Sequence, residues 1–398
     1  MSHAILKKQS VHAVYLVIIM LFGQVFYSEA LAGTWYGKKD SAGKQHGKWI
    51  QKINKGRVVE ILHFHHGVTN GPWQAFYHSG RKKFETHNRD GQLSGPWISY
   101  YDNKNNTIKN KGTHERGKAQ GVWTTWHPDG KTIKSVENYL HGNKHGSAEH
   151  FFYTGNRNYT TNFKDGLHHG QYTSYYNNVD NTKKSAGEHV RNKANGVWVY
   201  WHANGKTVSE KISYRLGTKH GQALSWYASG GKKIFTHYKD GNHHGEYESW
   251  YDNADNTMKS KGKHVDNRAT GKWTYWHADG KTVSAKIDYQ HGEKHGRSED
   301  FYASGNKKVV TSYQRGLHHG DYTAYYDNSD NIQKNQGNYV KHKAEGAWTY
   351  WHANGQKSAS GNYRKGERNG TWQFWSDTGQ LTKTMSYNNG KGRVIKNK

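Results

Sequence analysis

The chain has no cysteine and only 3 prolines among 398 residues. The first absence removes disulfides, thiolate nucleophiles and cysteine-based metal or cluster sites. The second leaves 46 glycines to reverse the chain, which indicates many tight turns rather than stiff linkers. Hydrophobic residues reach only 32%, and 58 Lys and Arg stand against 31 Asp and Glu, a net charge of +27. That balance would ordinarily mark a disordered polyelectrolyte. The 16 Trp, 29 Tyr and 11 Phe contradict disorder, because aromatic rings bury large areas and tolerate a wet edge. A thin, extended, β-rich structure without a deep aliphatic interior is expected.

Lys7 and Lys8 precede an apolar stretch from Ala13 to Phe26, followed by Ala30-Leu31-Ala32 before Gly33. A charged start, a short apolar run and a small-x-small site predict a secretory signal peptide over residues 1–32, cleaved after Ala32. The apolar run is too short for a spanning helix. The remainder is expected to be exported, residing in the periplasm, at the cell surface or outside the cell, with no transmembrane helix after cleavage.

Self-similarity organises the rest. Gly71, Gly146, Gly221 and Gly296 lie 75 residues apart, as do Gly95, Gly170, Gly245 and Gly320, and likewise Gly121, Gly196, Gly271 and Gly346. Each 75-residue cassette holds three repeats, and Gly47 before and Gly370 after extend the array to 14 repeats over residues 47–389. Residues 33–46 read as an N-terminal cap and residues 390–398 as a basic C-terminal tail. In Gly196-Val197-Trp198-Val199-Tyr200-Trp201-His202-Ala203-Asn204-Gly205 an aromatic run ends in Asn-Gly, a signal for a tight β-turn. Lys206 to Tyr214 then alternates, with Val208, Ile212 and Tyr214 on one face, as a half-buried strand does. The fold class predicted is all-β, a tandem β-hairpin repeat array forming an elongated, twisted antiparallel sheet.

The pattern G-x-W-x-x-Y-Y-x-x-G followed by a polar strand ending in Tyr, met at Gly121 to Gly130, Gly271 to Gly280 and Gly346 to Gly355, resembles the MORN-repeat variant of the YwqK-type family. The resemblance implies a β-hairpin array used as a scaffold or binding surface, and the label antitoxin that many such proteins carry.

Two aromatic sets are candidate binding residues. Trp123, Trp198, Trp273 and Trp348 fall on one face of their strands, and Trp126, Trp201, Trp276 and Trp351 on the other. One set could be the sheet's cross-strand cement while the other stacks on a ligand. The pairs His168-His169, His243-His244 and His318-His319, with a related pair His65-His66, invite comparison with zinc ligands. Adjacent strand residues point to opposite faces, so no three ligands converge within a pair, and these residues are expected to fill Gly-x-His-His-Gly turns. Loops such as Asp252 to Asn256 carry oxygen ligands but no bidentate Glu at the offset a calcium loop needs. No metal and no cofactor is therefore expected. Nor is an enzyme, since titratable residues recur in register instead of converging. The distributed positive charge suits a polyanion, but no nucleic-acid fold signature accompanies it. Two function classes follow: an exported scaffold binding a protein partner or an anionic envelope polymer, and a periplasmic immunity protein that neutralises a toxin.

Overall fold

The computed structural model describes residues 19–21, 24–26 and 33–397. The predicted cleavage site after Ala32 and most of the predicted signal peptide lie outside the described residues. Ile19–Leu21 and Gln24–Phe26 pair as a two-stranded hairpin. All other strands belong to one open antiparallel sheet of 32 strands. Apart from one 3₁₀ turn at Asn54–Gly56, the described residues are strands and their connections. The chain divides into two compact bodies, residues 1–168 and 169–398.

Each repeat is a hairpin, but its tightest turn is not at Asn-Gly. The two-residue connections lie between repeats: Leu216-Gly217 joins Val208–Arg215 to Thr218–Trp226, with Arg215 opposite Thr218. Their φ values of 47° and 91° are left-handed at both positions, as a type I′ turn requires. Asn204-Gly205 instead sits in a longer loop closed by Gly205 N–H on the His202 carbonyl (2.9 Å) and His202 N–H on the Thr207 carbonyl (3.0 Å). The expectation failed because Asn-Gly signals left-handed backbone, and the loops at the opposite ends of the strands demand it too. Residues 391–397, read above as part of a tail, form the last strand, paired with Leu381–Asn388.

In the N-terminal body the core runs through Trp73, Ala75, Phe84, Trp97, Trp123 and Tyr139. In the C-terminal body it forms clusters around Trp198, Ile212 and Ala223 and around Trp348, Ala359 and Trp372. One arrangement recurs. Gly112, Gly187, Gly262, Gly337 and Gly361 each lie under the ring of the Trp eleven residues later, so close that an added Cβ would stand 2.1–2.6 Å from indole atoms. The indole N–H then donates to the carbonyl of the residue after the glycine: Trp198 to Glu188 (3.2 Å), Trp273 to Lys263 (3.2 Å), Trp348 to Asn338 (3.3 Å) and Trp372 to Asn362 (3.1 Å). Where the preceding strand offers Leu62 or Thr86 instead, the indole turns to a side chain. Trp73 donates to Glu60 (2.7 Å) and Trp97 to Asn110 (3.1 Å).

In many repeats the next-to-last residue of the second strand packs edge-on against these indoles. It is Tyr139, Tyr289 or Tyr363 in some repeats and His114, His189 or His264 in others. His114 lies between Trp97 and Trp123 at 5.4 and 5.0 Å, and burial pushes its pKa down to about 4.

Two expectations follow. Gly262 has a φ that any residue tolerates, so Gly262→Ala acts through the Trp273 ring alone and should destabilise by about 1–3 kcal/mol. Urea unfolding should detect this, with Gly262→Ala/Trp273→Ala costing less than the sum of the two single changes; an unchanged midpoint would refute the seat. His114, with its folded pKa below that of the unfolded chain, favours the folded state fully above pH ~6.5, and this contribution falls as pH drops towards about 4. His114→Phe, the residue that Phe163 provides at the same place in its repeat, should remove about 3 kcal/mol of that acid sensitivity. Melting curves at pH 7 and pH 4 that shift equally in both proteins would count against it.

Candidate functional site

The two aromatic sets separate by burial. Trp123, Trp198, Trp273 and Trp348 are 3–6% exposed and form the core, so they offer no surface to a ligand. Trp126, Trp201, Trp276 and Trp351 end their strands half-buried at the loop edge of the sheet. Their carbonyls accept the hydroxyl of a tyrosine one repeat earlier: Tyr101 on Trp126 (2.8 Å), and Tyr176, Tyr251 and Tyr326 on Trp201, Trp276 and Trp351 (2.9 Å each).

These tyrosines, and Tyr227 and Tyr302, whose hydroxyls donate to the Trp250 and Tyr325 carbonyls, carry lysines over their rings. In the N-terminal body Lys109 lies 5.8 Å from the Tyr101 centroid. In the C-terminal body Lys184, Lys233, Lys259, Lys308 and Lys334 lie 5.5–5.9 Å from Tyr176, Tyr227, Tyr251, Tyr302 and Tyr326. A second row places Lys183 over Trp201 and Lys232 over Trp250. Each ring is fixed by its hydroxyl or its strand, and each fixed ring holds an ammonium by cation–π attraction. Both bodies thus carry an edge of positioned positive charges backed by aromatics. The sequence shows the lysines and the tyrosines; their pairing across strands depends on register.

The His pairs lie on strands rather than in turns, in Leu167–Tyr175, Asn242–Trp250 and Leu317–Tyr325. The first member is built in: His168, His243 and His318 bond through Nδ1 to the buried Thr161, Thr236 and Thr311 at 2.9–3.0 Å. Burial lowers the pKa of His243 and His318. Their partners His169, His244 and His319 are half-buried, and His244 reaches Asp266 at 3.3 Å. The pairs bring no third ligand together. In the Asx loops the amides are consumed by the turn: Asn253 Oδ1 accepts from Thr257 N–H (2.9 Å), and Asn256 exchanges two bonds with the Lys232 backbone.

One convergence escaped the sequence reading. Glu137 is buried and receives Lys144 Nζ at 2.6 Å, while His150 Nε2 lies 2.9 Å away and the Tyr139 hydroxyl donates at 3.1 Å. Burial raises its pKa, but the bonds from His150 and Lys144 outweigh burial and hold it at about 2. The signal was a break in the repeat, since Ile212 and Ile287 stand 75 and 150 residues after Glu137, and Ser225 and Asp300 after His150. Glu137→Ala should cost about 1–3 kcal/mol by removing the acceptor that Lys144 and the Tyr139 hydroxyl share. The double change Glu137→Ile/His150→Ser, which restores the repeat, should recover most of that loss in thermal unfolding. Equal losses in both variants would show the cluster to be more than a paired substitution.

With this geometry in place, comparison with known proteins adds the following. A search of curated protein sequences finds no match. Among solved structures, one described as "Crystal Structure of TcdB2-TccC3-TEV" aligns over 90% of this chain at 11% identity and a TM-score of 0.17, covering 20% of its own chain. A Photorhabdus luminescens Tc holotoxin pore aligns over 90% at 12% identity, with a TM-score of 0.17, covering 19% of its chain. This protein therefore spans about a fifth of the chains it matches, and a likeness of that size bears on no functional question. The model of the MORN repeat variant matches residues 368–389. That segment contains Trp372, all but the first residue of strand Glu367–Trp375 and the whole of strand Leu381–Asn388, so a MORN repeat variant is matched at this last repeat of the array, in line with the pattern its sequence resembles.

Proposed function

We propose that the protein is an exported, non-enzymatic repeat scaffold whose basic, aromatic loop edge docks an anionic polymer. The observation that supports this reading is the row of lysines held over fixed tyrosine and tryptophan rings, from Lys183 and Lys184 to Lys334. A lysine already restrained by a ring loses less freedom when a ligand binds than a free one does. Regular spacing turns many weak contacts into one multivalent attachment. The rings beside the ammonium groups add stacking surface for a sugar. Export, read from the N-terminal residues, gives such an edge access to acidic polysaccharide of a cell envelope. A protein partner with an acidic ladder would meet the same features, and the half-buried Trp126, Trp201, Trp276 and Trp351 would then supply the apolar part of the contact.

Heparin serves as the probe. The full chain should bind it with an affinity that falls steeply between 50 and 200 mM salt, as counterion release requires (~10³-fold for several contacts). Replacing Lys184, Lys233, Lys259 and Lys308 by Gln should lower the affinity about tenfold or more and flatten the salt dependence. Binding that ignores both salt and these substitutions would overturn the polymer reading and direct attention to the tryptophans.

A further inference from the structure

From the N-terminal body we infer that Asp40, His46 and His66 form a site for one divalent transition-metal ion of the zinc class. The donor atoms of these three side chains lie within 4.8 Å of one another, the one such group of His and carboxylate donors among the described residues. They come from three segments. Asp40 opens the turn between strands Thr34–Lys39 and Gln45–Ile53, His46 lies in the second of these, and His66 follows strand Arg57–His65.

The local backbone explains why they meet. Asp40 Oδ1 accepts the N–H groups of Ala42 (3.0 Å) and Lys44 (2.8 Å), which fixes the carboxylate and turns Oδ2 to His66 Nδ1 at 2.7 Å. His66 has a left-handed φ of 48°, and Gly67 N–H bonds the Gln45 carbonyl at 2.8 Å, docking this turn beside His46. The expectation that neighbouring histidines diverge holds for pairs on a strand. Here the chain bends between His65 and His66, and their rings lie 4.4 Å apart with His46 5.5 and 5.2 Å from each.

The chemistry suits the ion. Two imidazoles and a carboxylate are borderline nitrogen and oxygen ligands that zinc binds at about 2.0–2.2 Å. The Asp40 side chain is 9% exposed while that of His66 is 59% exposed. One ligand is therefore held by its surroundings while the other can swing from hydrogen-bonding distance onto a shared ion. The backbone donors on Asp40 Oδ1 provide the outer support that a ligating carboxylate needs. Three protein ligands leave a position for water or for a group on a partner.

The test uses the full chain prepared without a polyhistidine tag, titrated with Zn²⁺ by calorimetry at pH 7.5 and with Co²⁺ by visible absorption. One equivalent should bind at least tenfold more tightly than the remaining histidines. His46→Gln/His66→Gln should abolish that equivalent, whereas His168→Gln/His169→Gln should retain it. Asp40→Asn, which keeps an acceptor for the turn, gives a second variant should the first fail to fold, with at least a tenfold loss expected. Zinc binding by a folded variant with unchanged stoichiometry and affinity, or no tight equivalent in the parent chain, would overturn the site.

Discussion

The contact on which this sheet depends is a tryptophan ring lying on the bare backbone of a glycine in the preceding strand. Few aliphatic residues are available and, among the described residues, no α-helix packs on the sheet, so cross-strand side chains must cover the backbone. An indole can do this in one step, because it buries roughly 200 Å² and carries one donor. Gly262 supplies the space and Lys263 supplies the acceptor for Trp273, so the ring is buried without an unpaired N–H. Tyr247, His264, Tyr275 and Tyr289 then pack around that ring at 5.0–6.1 Å, joining neighbouring hairpins.

Much of the architecture is legible because both of its signals are local. Alternation along Lys206 to Tyr214 sets the faces of a strand, and the 75-residue period carries the assignment from cassette to cassette. The turn assignment is less legible. Leu216 takes a left-handed φ without the side-chain help that Asn or Asp would give. The two-residue geometry there is enforced by strand pairing on both sides, whereas Asn204 spends its side chain holding the Lys206 and Thr207 amides in the wider loop.

The candidate site divides along the same line. That Trp198 and Trp201 face opposite ways follows from strand parity, but which face is covered does not. The deciding residue, Gly187, lies eleven positions upstream on another strand and becomes informative only once the indole is known to rest there. Parity also misled at His65-His66, because His66 is a turn residue and the rule applies only within a strand. The lysines were visible as charge, but not as charge held in place, since the ring beneath Lys233 is Tyr227 at the end of a neighbouring strand.

Repetition and its interruptions therefore carry different kinds of chemistry. A repeated lysine over a repeated tyrosine supplies many equivalent weak contacts, which favours extended ligands over small ones. A site that concentrates several donors at one point must break the register, since a strict repeat would copy each donor along the sheet and leave none converging. Glu137 with His150 breaks it by substitution inside a cassette, and the Lys144 bond and His150 contact that replace an aliphatic contact are closed internally. Asp40 breaks it by standing in the turn after the first strand of the sheet, outside the cassettes, where a fixed carboxylate meets two exposed imidazoles. Interruptions of the register are thus the places in such an array where several donors can converge, while the regular repeats around them distribute equivalent groups along the sheet.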